Sequence, residues 1–400
     1  MIRTLGAMSE LTATTDRTDP EPVPPSAGRT GRWCLGTKLM VTATAGWAAF
    51  VVAHRLISGR TPMWAPFDML PPLVFVAVPV VLMVIAPLAR PVRWRLLIAL
   101  AVTVAIGWPV NGLNPGTLWY TPPAAPAGAI RVVSWNTEFW DQDWRTAGRT
   151  TTPDFYAWLR SFDADVYLLK EYLRAKPEAA TQAWTADLAI RVDATAELAR
   201  EFPGYQVAVA GEQITLSRLP IVSHTGLDMQ PYLPAAQRDV PPALADFAES
   251  FTVETLRTDI QVGDRVVSFY NAQPHQPPTQ WQLWKPDARD ADRYNFNRRA
   301  ASFRVLRQDI EANPNPVVIG ADLNTSPSMG TRRWLPSGLD DNRAALSSVY
   351  PATWNDRGAG LWQIDWFLTG HGARVNRYQL PDAGGRSDHR PQVVTLSVDR

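Results

Sequence analysis

Between positions 35 and 110 the chain reads as three apolar runs with short polar breaks: Leu35–Ala53, Met69–Ala89 and Trp94–Val110. A helix that crosses a bilayer needs about 20 mostly apolar residues, within a range of about 17–25. The second run fits that length best. The first and third are short, and use Lys38, Arg93 and Arg95 at their ends, whose long stems reach the interface. Three such runs with few internal charges predict a transmembrane anchor of three helices over 34–113, not core helices of a soluble domain. The first run lies too far from the N-terminus for a cleaved signal peptide. Residues 1–33, rich in Pro, Thr, Ser and Arg, are expected to be a disordered tail. Residues 114–128 form a Pro-rich linker, with Trp119 and Tyr120 suited to the headgroup layer.

From residue 129 to 400 the period changes. Ala129–Trp135, Val166–Leu169, Gln206–Ala210, Gln213–Ser217, Phe251–Leu256, Val266–Asn271, Pro316–Ile319, Trp362–Leu368 and Gln392–Leu396 are short, β-prone apolar runs. Pro153–Asp163 and Asn297–Glu311 carry helical spacing, and Ala180–Phe202 reads as a helical stretch closed by Pro203-Gly204. Leu227–Glu249 and Pro277–Arg293 read as loop insertions at the rim of a site. Strands with a few helices, lacking strict βαβ alternation, predict an α+β domain with sheets packed face to face.

Charge adds orientation. The chain carries 39 Lys and Arg against 38 Asp and Glu. Arg17, Arg29, Arg32 and Lys38 flank the start of the first run, and Arg90, Arg93 and Arg95 lie between the second and third. By the positive-inside rule these regions are cytoplasmic. That puts the N-terminus in the cytoplasm and the 129–400 domain outside it, on a multi-pass cell-membrane protein. The domain holds 29 basic and 33 acidic residues, so it exerts no general pull on nucleic acid. The single cysteine, Cys34, excludes an intrachain disulfide.

The candidate chemistry lies mostly at strand ends. Ser134-Trp135-Asn136, Leu169-Lys170-Glu171, Gly320-Ala321-Asp322-Leu323-Asn324, Ile364-Asp365-Trp366 and Arg386-Ser387-Asp388-His389-Arg390-Pro391 follow or interrupt apolar runs. A sheet can converge such ends. The resulting oxygen-rich set with one imidazole suits Mg²⁺ and phosphate, not zinc. In that set Asp322 can orient or deprotonate a water, Asn324 can donate to a phosphoryl oxygen, and His389 can act as acid or base near neutral pH.

This order of blocks resembles the endonuclease/exonuclease/phosphatase superfamily, the DNase I-like fold, from Ile130 to Val398. The resemblance implies a four-layered α/β sandwich, two facing β-sheets flanked by helices, with the site at one edge. It implies Glu171 as the main ligand of Mg²⁺ or Mn²⁺, aided by Asn136 and Asp388. It further implies Asp365 as the acid orienting a catalytic histidine, and Asn271 as support for the phosphate. Two departures stand out. Lys170 replaces the family's Gln before the Glu. In Asn271-Ala272-Gln273-Pro274-His275, Gln273 occupies the family's second histidine slot, so either Gln273 or His275 faces the phosphate. Ser217-Arg218-Leu219-Pro220 resembles a structural strand end.

Three runs ahead of an external domain, with Thr353-Trp354 before Ile364-Asp365, resemble the membrane-anchored VanJ-type family linked to teicoplanin resistance. That implies a phosphatase acting on a lipid pyrophosphate such as undecaprenyl pyrophosphate, with the lipid bilayer as partner. An extracytoplasmic nuclease or phosphodiesterase is the second reading. It would need a basic groove, for which Arg298, Arg299, Arg332 and Arg333 are the candidates. A non-catalytic receptor or scaffold domain is the third.

Overall fold

Alternation of side chains sends successive strand residues to opposite faces, and the first strand of the domain shows the result. Ile130 and Val132 enter one buried cluster, while Val133 and Trp135 enter another. A computed structural model describes residues 33–140, 142, 148–176, 188–278, 285–356 and 358–399. In chain order its strands are β1 (Ile130–Asn136), β2 (Val166–Lys170), β3 (Leu173–Ala175), β4 (Ala189–Arg191), β5 (Gln206–Ala210), β6 (Gln213–Ser217), β7 (Ile221–Asp228) and β8 (Val253–Val262). They continue as β9 (Arg265–Ala272), β10 (Val317–Asp322), β11 (Trp354–Asp356), β12 (Ala359–Trp362), β13 (Asp365–Gly370), β14 (Ala373–Gln379) and β15 (Gln392–Val398).

Two main sheets result, ordered β14-β15-β1-β2-β6-β5 and β13-β10-β9-β8-β7. Each holds one parallel pair, β1 with β2 and β9 with β10, among antiparallel neighbours. Val132, Val166 and Leu168 of one sheet pack against Val267, Phe269, Val318 and Phe367 of the other. Outside the first sheet, Phe155 and Leu159 of the helix Thr152–Arg160 cover Val133, Trp135 and Leu169. Outside the second, Phe303, Leu306 and Ile310 of the helix Pro286–Ala312 cover Tyr270, Ile319 and Ala321. The order is helix, sheet, sheet, helix, an α+β sandwich as expected. The sheets approach closely at Gly320. A Cβ there would lie 2.7 Å from the Ser134 side chain and from Leu168 Cδ1.

Several boundaries differ from expectation. The predicted helix Ala180–Phe202 falls partly outside the described residues, and the rest is β4 followed by the short helix Thr195–Glu201. The predicted loop Pro277–Arg293 gives way at Pro286 to a 27-residue helix. Pro at the first helical position and Asp287 in the first turn favour that earlier start. Strands β7 and β14 were not anticipated. The exposed residues of β7 dilute its apolar signal, and β14 interleaves Arg374 and Arg377 with its buried residues.

Ahead of the domain lie the helices Leu35–Ile57, Val74–Ile85 and Arg93–Gly107. Two helical segments, Leu35–Ile57 and Arg93–Val110, are long and apolar enough to cross a membrane. The middle run, expected to fit best, does not reach that length. Its helical segment, Val74–Leu88, spans about 23 Å at about 1.5 Å per residue, against a hydrocarbon core of about 30 Å. Pro71 and Pro72 delay its start, Pro79 removes an internal N–H, and Pro87 and Pro91 bound its end. The segments are not a buried core. Only 22% and 28% of the most apolar windows of the two longer ones are buried, and Leu35, Val84 and Leu88 are each more than 70% exposed. The expected linker begins tied to the domain. Asn114 donates to Arg343 O and Ser348 O, and Thr117 donates to Leu346 O.

Candidate active site

The C-terminal ends of the parallel strands converge on one edge. Asn136 ends β1 and Glu171 follows β2 in the first sheet, while Gln273 follows β9 and Asp322 ends β10 in the second. Antiparallel neighbours bring their starts to the same edge. Asp365 opens β13 directly opposite Asp322, and His389 lies just before β15.

Asn136 joins the two sheets. Its Nδ2 donates to Glu171 Oε1 at 2.8 Å and to Asp322 Oδ2 at 3.1 Å. Its Oδ1 accepts from Glu138 N, so Asn136 positions both carboxylates and turns its own oxygen away from them. Glu171 takes φ +59°, the left-handed region uncommon for a residue with a Cβ. Such strain costs on the order of 1–3 kcal/mol and is retained where surroundings enforce it. A second enforcing contact comes from Gln273, whose Nε2 donates to Glu171 Oε1 at 2.9 Å. That leaves Glu171 Oε2 for another partner.

His389 is buried at the centre. Its Nδ1 lies 2.9 Å from Asp365 Oδ2, while Nε2 lies 3.8 Å from Asp322 Oδ2 and 3.7 Å from Asp388 Oδ1. The histidine backbone is fixed from β1, since Trp135 Nε1 donates to His389 O at 2.9 Å. Burial alone would lower the imidazole, but the charges of Asp365 and Asp322 prevail and hold it well above its ordinary value. Asp322 rises to about 6, chiefly through burial, with the His389 charge opposing and the Asp365 charge assisting.

Thr353-Trp354 braces both remaining acids. Thr353 Oγ1 accepts from Ile364 N and Asp365 N, each at 3.0 Å. Trp354 Nε1 donates to Asp388 Oδ2 at 2.8 Å, while buried Asp388 Oδ1 has no hydrogen-bond partner. Asn324, at φ +47°, donates from Nδ2 to Pro274 O at 3.1 Å and from its backbone N–H to Asp322 Oδ1 at 2.9 Å.

Two expected residues stand apart. Both amide hydrogens of Asn271 go to backbone oxygens of the facing sheet, Leu169 O at 2.8 Å and Ile214 O at 3.0 Å. None is left for a phosphate, so Asn271 ties sheets together. His275 does not join His389. Its N–H donates to Glu254 Oε2 and its ring lies 3.3 Å from Asn295 Oδ1, whereas Gln273 reaches the cluster. Strand β9 ends at Ala272, so the strand alternation that would keep Gln273 and His275 on one face does not extend to His275.

Lys170 and the four groove arginines take supporting positions that no local sequence pattern signals. Lys170 is buried behind the carboxylates, its Nζ donating to Ser134 Oγ at 2.6 Å. Burial lowers it to about 7 despite the Asp365 and Asp322 charges. Arg299, taken from sequence as a groove candidate, is buried and donates to His275 O, Leu323 O and Asn324 O. Arg298 is also buried, against the Phe251 ring and Glu254. Arg332 stacks on Trp366 and pairs with Asp341, and Arg333 donates to Ser58 O. Helical spacing that places two arginines side by side carries no signal of which face is buried.

Asp322, Asp365 and His389 offer three ligand atoms within 4.8 Å of one another. The short Nδ1 contact to Asp365 orients the imidazole, and the Asp365 and Asp322 charges raise its proton affinity. Carboxylate oxygen without a proton donor is the better cation ligand. Glu171 and Asp388 supply it.

Solved structures with similar folds include a humanized TDP2 of D. rerio, at 14% identity and TM-score 0.42, covering 68% of this chain and 100% of that one. An endonuclease/exonuclease/phosphatase family protein from Bacteroides thetaiotaomicron aligns at 14% identity and TM-score 0.43, covering 70% and 100%. A mannosyl-6-phosphatase from the same organism aligns at 14% identity and TM-score 0.43, covering 67% and 99%. No curated protein matches. The profile of the Endonuclease/Exonuclease/phosphatase family matches residues 133–389, a span that contains every strand-end residue described above, and the chain belongs to that family.

Proposed function

We propose that the protein is a divalent-cation-dependent phosphoesterase that hydrolyses a lipid pyrophosphate, such as undecaprenyl pyrophosphate, at the outer face of the membrane. The observation that carries this reading is the junction between the apolar helices and the catalytic loop. The residues that follow Asp322 and Asn324 run on to Gly330, whose N–H donates to Ser58 Oγ at 2.6 Å just past the first helix. An anchored site meets lipid headgroups at high effective concentration. The likeness to VanJ-type phosphatases in helices and Thr353-Trp354 supports the same substrate class.

The donor set fits a hard cation. Glu171, Asp322, Asp365 and Asp388 place four carboxylates around one imidazole and one buried amine. A phosphate anion would be repelled from that set without a cation, and Asp388 Oδ1, which accepts no hydrogen bond among the described residues and lies 3.7 Å from His389 Nε2, is an oxygen suited to one. Glu171 and Asp388 would hold Mg²⁺ or Mn²⁺, with Asn136 and Gln273 fixing Glu171. When bound, the cation neutralises phosphoryl oxygens and stabilises the leaving oxygen.

The other roles fall to the chain itself. Asp322, with its proton affinity raised towards neutrality, accepts a proton from the attacking water. His389 keeps its proton through Asp365 and offers Nε2–H to a phosphoryl or leaving oxygen. Asn324 has a second amide hydrogen for the phosphate. The nuclease reading loses its support, because three of its four groove arginines are buried or ion-paired and the fourth contacts the anchor. The full chain in detergent micelles with Mg²⁺ should release phosphate from undecaprenyl pyrophosphate and leave plasmid DNA intact. DNA nicking without lipid turnover would overturn the assignment.

A further inference from the structure

Where the outer ends of the first and last apolar helices meet the domain there is a cavity of about 290 Å³. It is lined by Arg55, Arg332 and Arg333, with Pro109, Val110 and Met329 as its apolar wall. That volume sits at the lower end of small-ligand sites, about 300–1,000 Å³. Arg332 is committed to Asp341 and Trp366. Arg333 gives one hydrogen bond to Ser58 O and makes no ion pair, and Arg55 has no side-chain partner, among the described residues. Burial, then the charges of Arg60 and Arg55, lower the proton affinity of Arg333, as expected where positive charge is crowded.

The opposing charge is smaller. Two helix C-termini end near the cavity, each equivalent to about half a negative charge. Asp68, buried and bonded to Ser58, is raised to about 6 mainly by burial, and its charge acts on Arg333, which the Arg60 and Arg55 charges oppose. Arg55, Arg60 and Arg333, set against Asp68 and the two helix ends, leave an excess of about one positive charge. A guanidinium pair matches phosphate oxygens, and the apolar wall matches the glycerol or acyl portion next to a headgroup.

We propose that this cavity is a second anion site, separate from the catalytic cluster, that holds the phosphate headgroup of a membrane lipid. It rests on the membrane placement proposed above. Pro327 to Gly330 form one wall, so the occupant contacts the same loop that carries Asp322 and Asn324. The site would seat the catalytic edge against a phospholipid-rich surface.

The test is lipid retention by the full chain in zwitterionic micelles, read by native mass spectrometry with phosphatidic acid and phosphatidylcholine as probes. The wild type should retain phosphatidic acid in preference. Each basic residue near an anionic lipid surface contributes about 1 kcal/mol. Arg55→Gln should thus weaken retention about fivefold and Arg55→Gln/Arg333→Gln about 25-fold. Arg90→Gln/Arg95→Gln, on the opposite side of the helices, should leave it unchanged. Equal retention by all variants, or equal loss in the Arg90/Arg95 control, overturns the proposal. Displacement of the lipid by millimolar inorganic phosphate overturns it too, in favour of a free-anion site. Because retention is read without turnover, a failed substrate assignment and a failed lipid site give different results.

Discussion

Asp322 and Asp365 stand opposite each other on β10 and β13, and the imidazole of His389 lies between their carboxylates. Like charges paired across strands are destabilising. The pair is tolerable because His389 lies between them, its Nδ1 facing Asp365 and its Nε2, the nitrogen proposed to donate to a phosphoryl oxygen, facing Asp322.

His389→Ala should reduce turnover by about 10²–10⁴, the range for general acid–base groups. Asp365→Asn removes the charge that raises His389, so the imidazole should lose its proton at lower pH. The pH–rate profile of Asp365→Asn should therefore show its alkaline limb shifted to lower pH, with a smaller loss at the optimum. An alkaline limb identical to that of the wild type would contradict the assignment.

Gln273 and His275 separate by the same logic. Gln273→Ala removes a hydrogen bond to Glu171 and should weaken Mg²⁺ affinity about 10–100-fold, the usual effect of losing a residue that orients a ligand. His275→Ala should change turnover by less than about threefold, well under the acid–base range. Isothermal titration with Mg²⁺ and steady-state rates check the two variants. The reverse ranking would return His275 to the site.

Lys170 gives a pH dependence of stability. Its proton affinity is about 7 folded, against about 10.4 in an unfolded chain. Between these values the unfolded chain binds a proton that the folded one does not, so stability rises with pH by up to about 1.4 kcal/mol per unit. The contribution is present in full above the unfolded value and is lost as pH falls through about 7. Lys170→Met removes the penalty. In chelator, its melting temperature should exceed the wild type's at pH 7, and the gap should narrow by pH 9.5. A gap independent of pH would show that Lys170 is charged where it lies.

Ser58 couples the helices to the catalytic loop, donating to Asp68 Oδ1 and accepting from Gly330 N, both at 2.6 Å. Ser58→Ala leaves two buried groups unpaired, each at a cost of about 1–3 kcal/mol. Hydrogen exchange at residues 325–331 should accelerate while Mg²⁺ affinity stays the same. Unchanged exchange there would mean that the junction does not hold the loop.

The strand ends were legible because polar residues that close an apolar run, such as Asn136, Glu171 and Asp322, or that open one, such as Asp365, lie at the edge of a buried sheet. Asn136, Glu171, Asp322, Asp365, Asp388 and His389 come together for that reason. What was not legible depends on geometry between distant segments. No local pattern says that Lys170 turns inward beside Ser134, or that Arg298 and Arg299 are buried by Phe251 and the Asn324 loop. The length of the middle helix is not legible in hydropathy, which ignores what Pro71, Pro72 and Pro79 do to a helix. Thr353-Trp354 was noticed only as a likeness, and the hydrogen bonds to Asp365 N and Asp388 Oδ2 supply its physical reason.

Glu171 is the proposed anchor of a cation required for phosphoryl hydrolysis. The most direct measurement is phosphate release from undecaprenyl pyrophosphate by the full chain, titrated with Mg²⁺ after chelator treatment, for the wild type and Glu171→Gln. Release should be absent in chelator and return with Mg²⁺ in the wild type. Glu171→Gln should melt like the wild type in chelator and remain nearly inactive at saturating Mg²⁺ for the native protein. Full activity in excess chelator, or wild-type Mg²⁺ dependence in Glu171→Gln, would contradict that role.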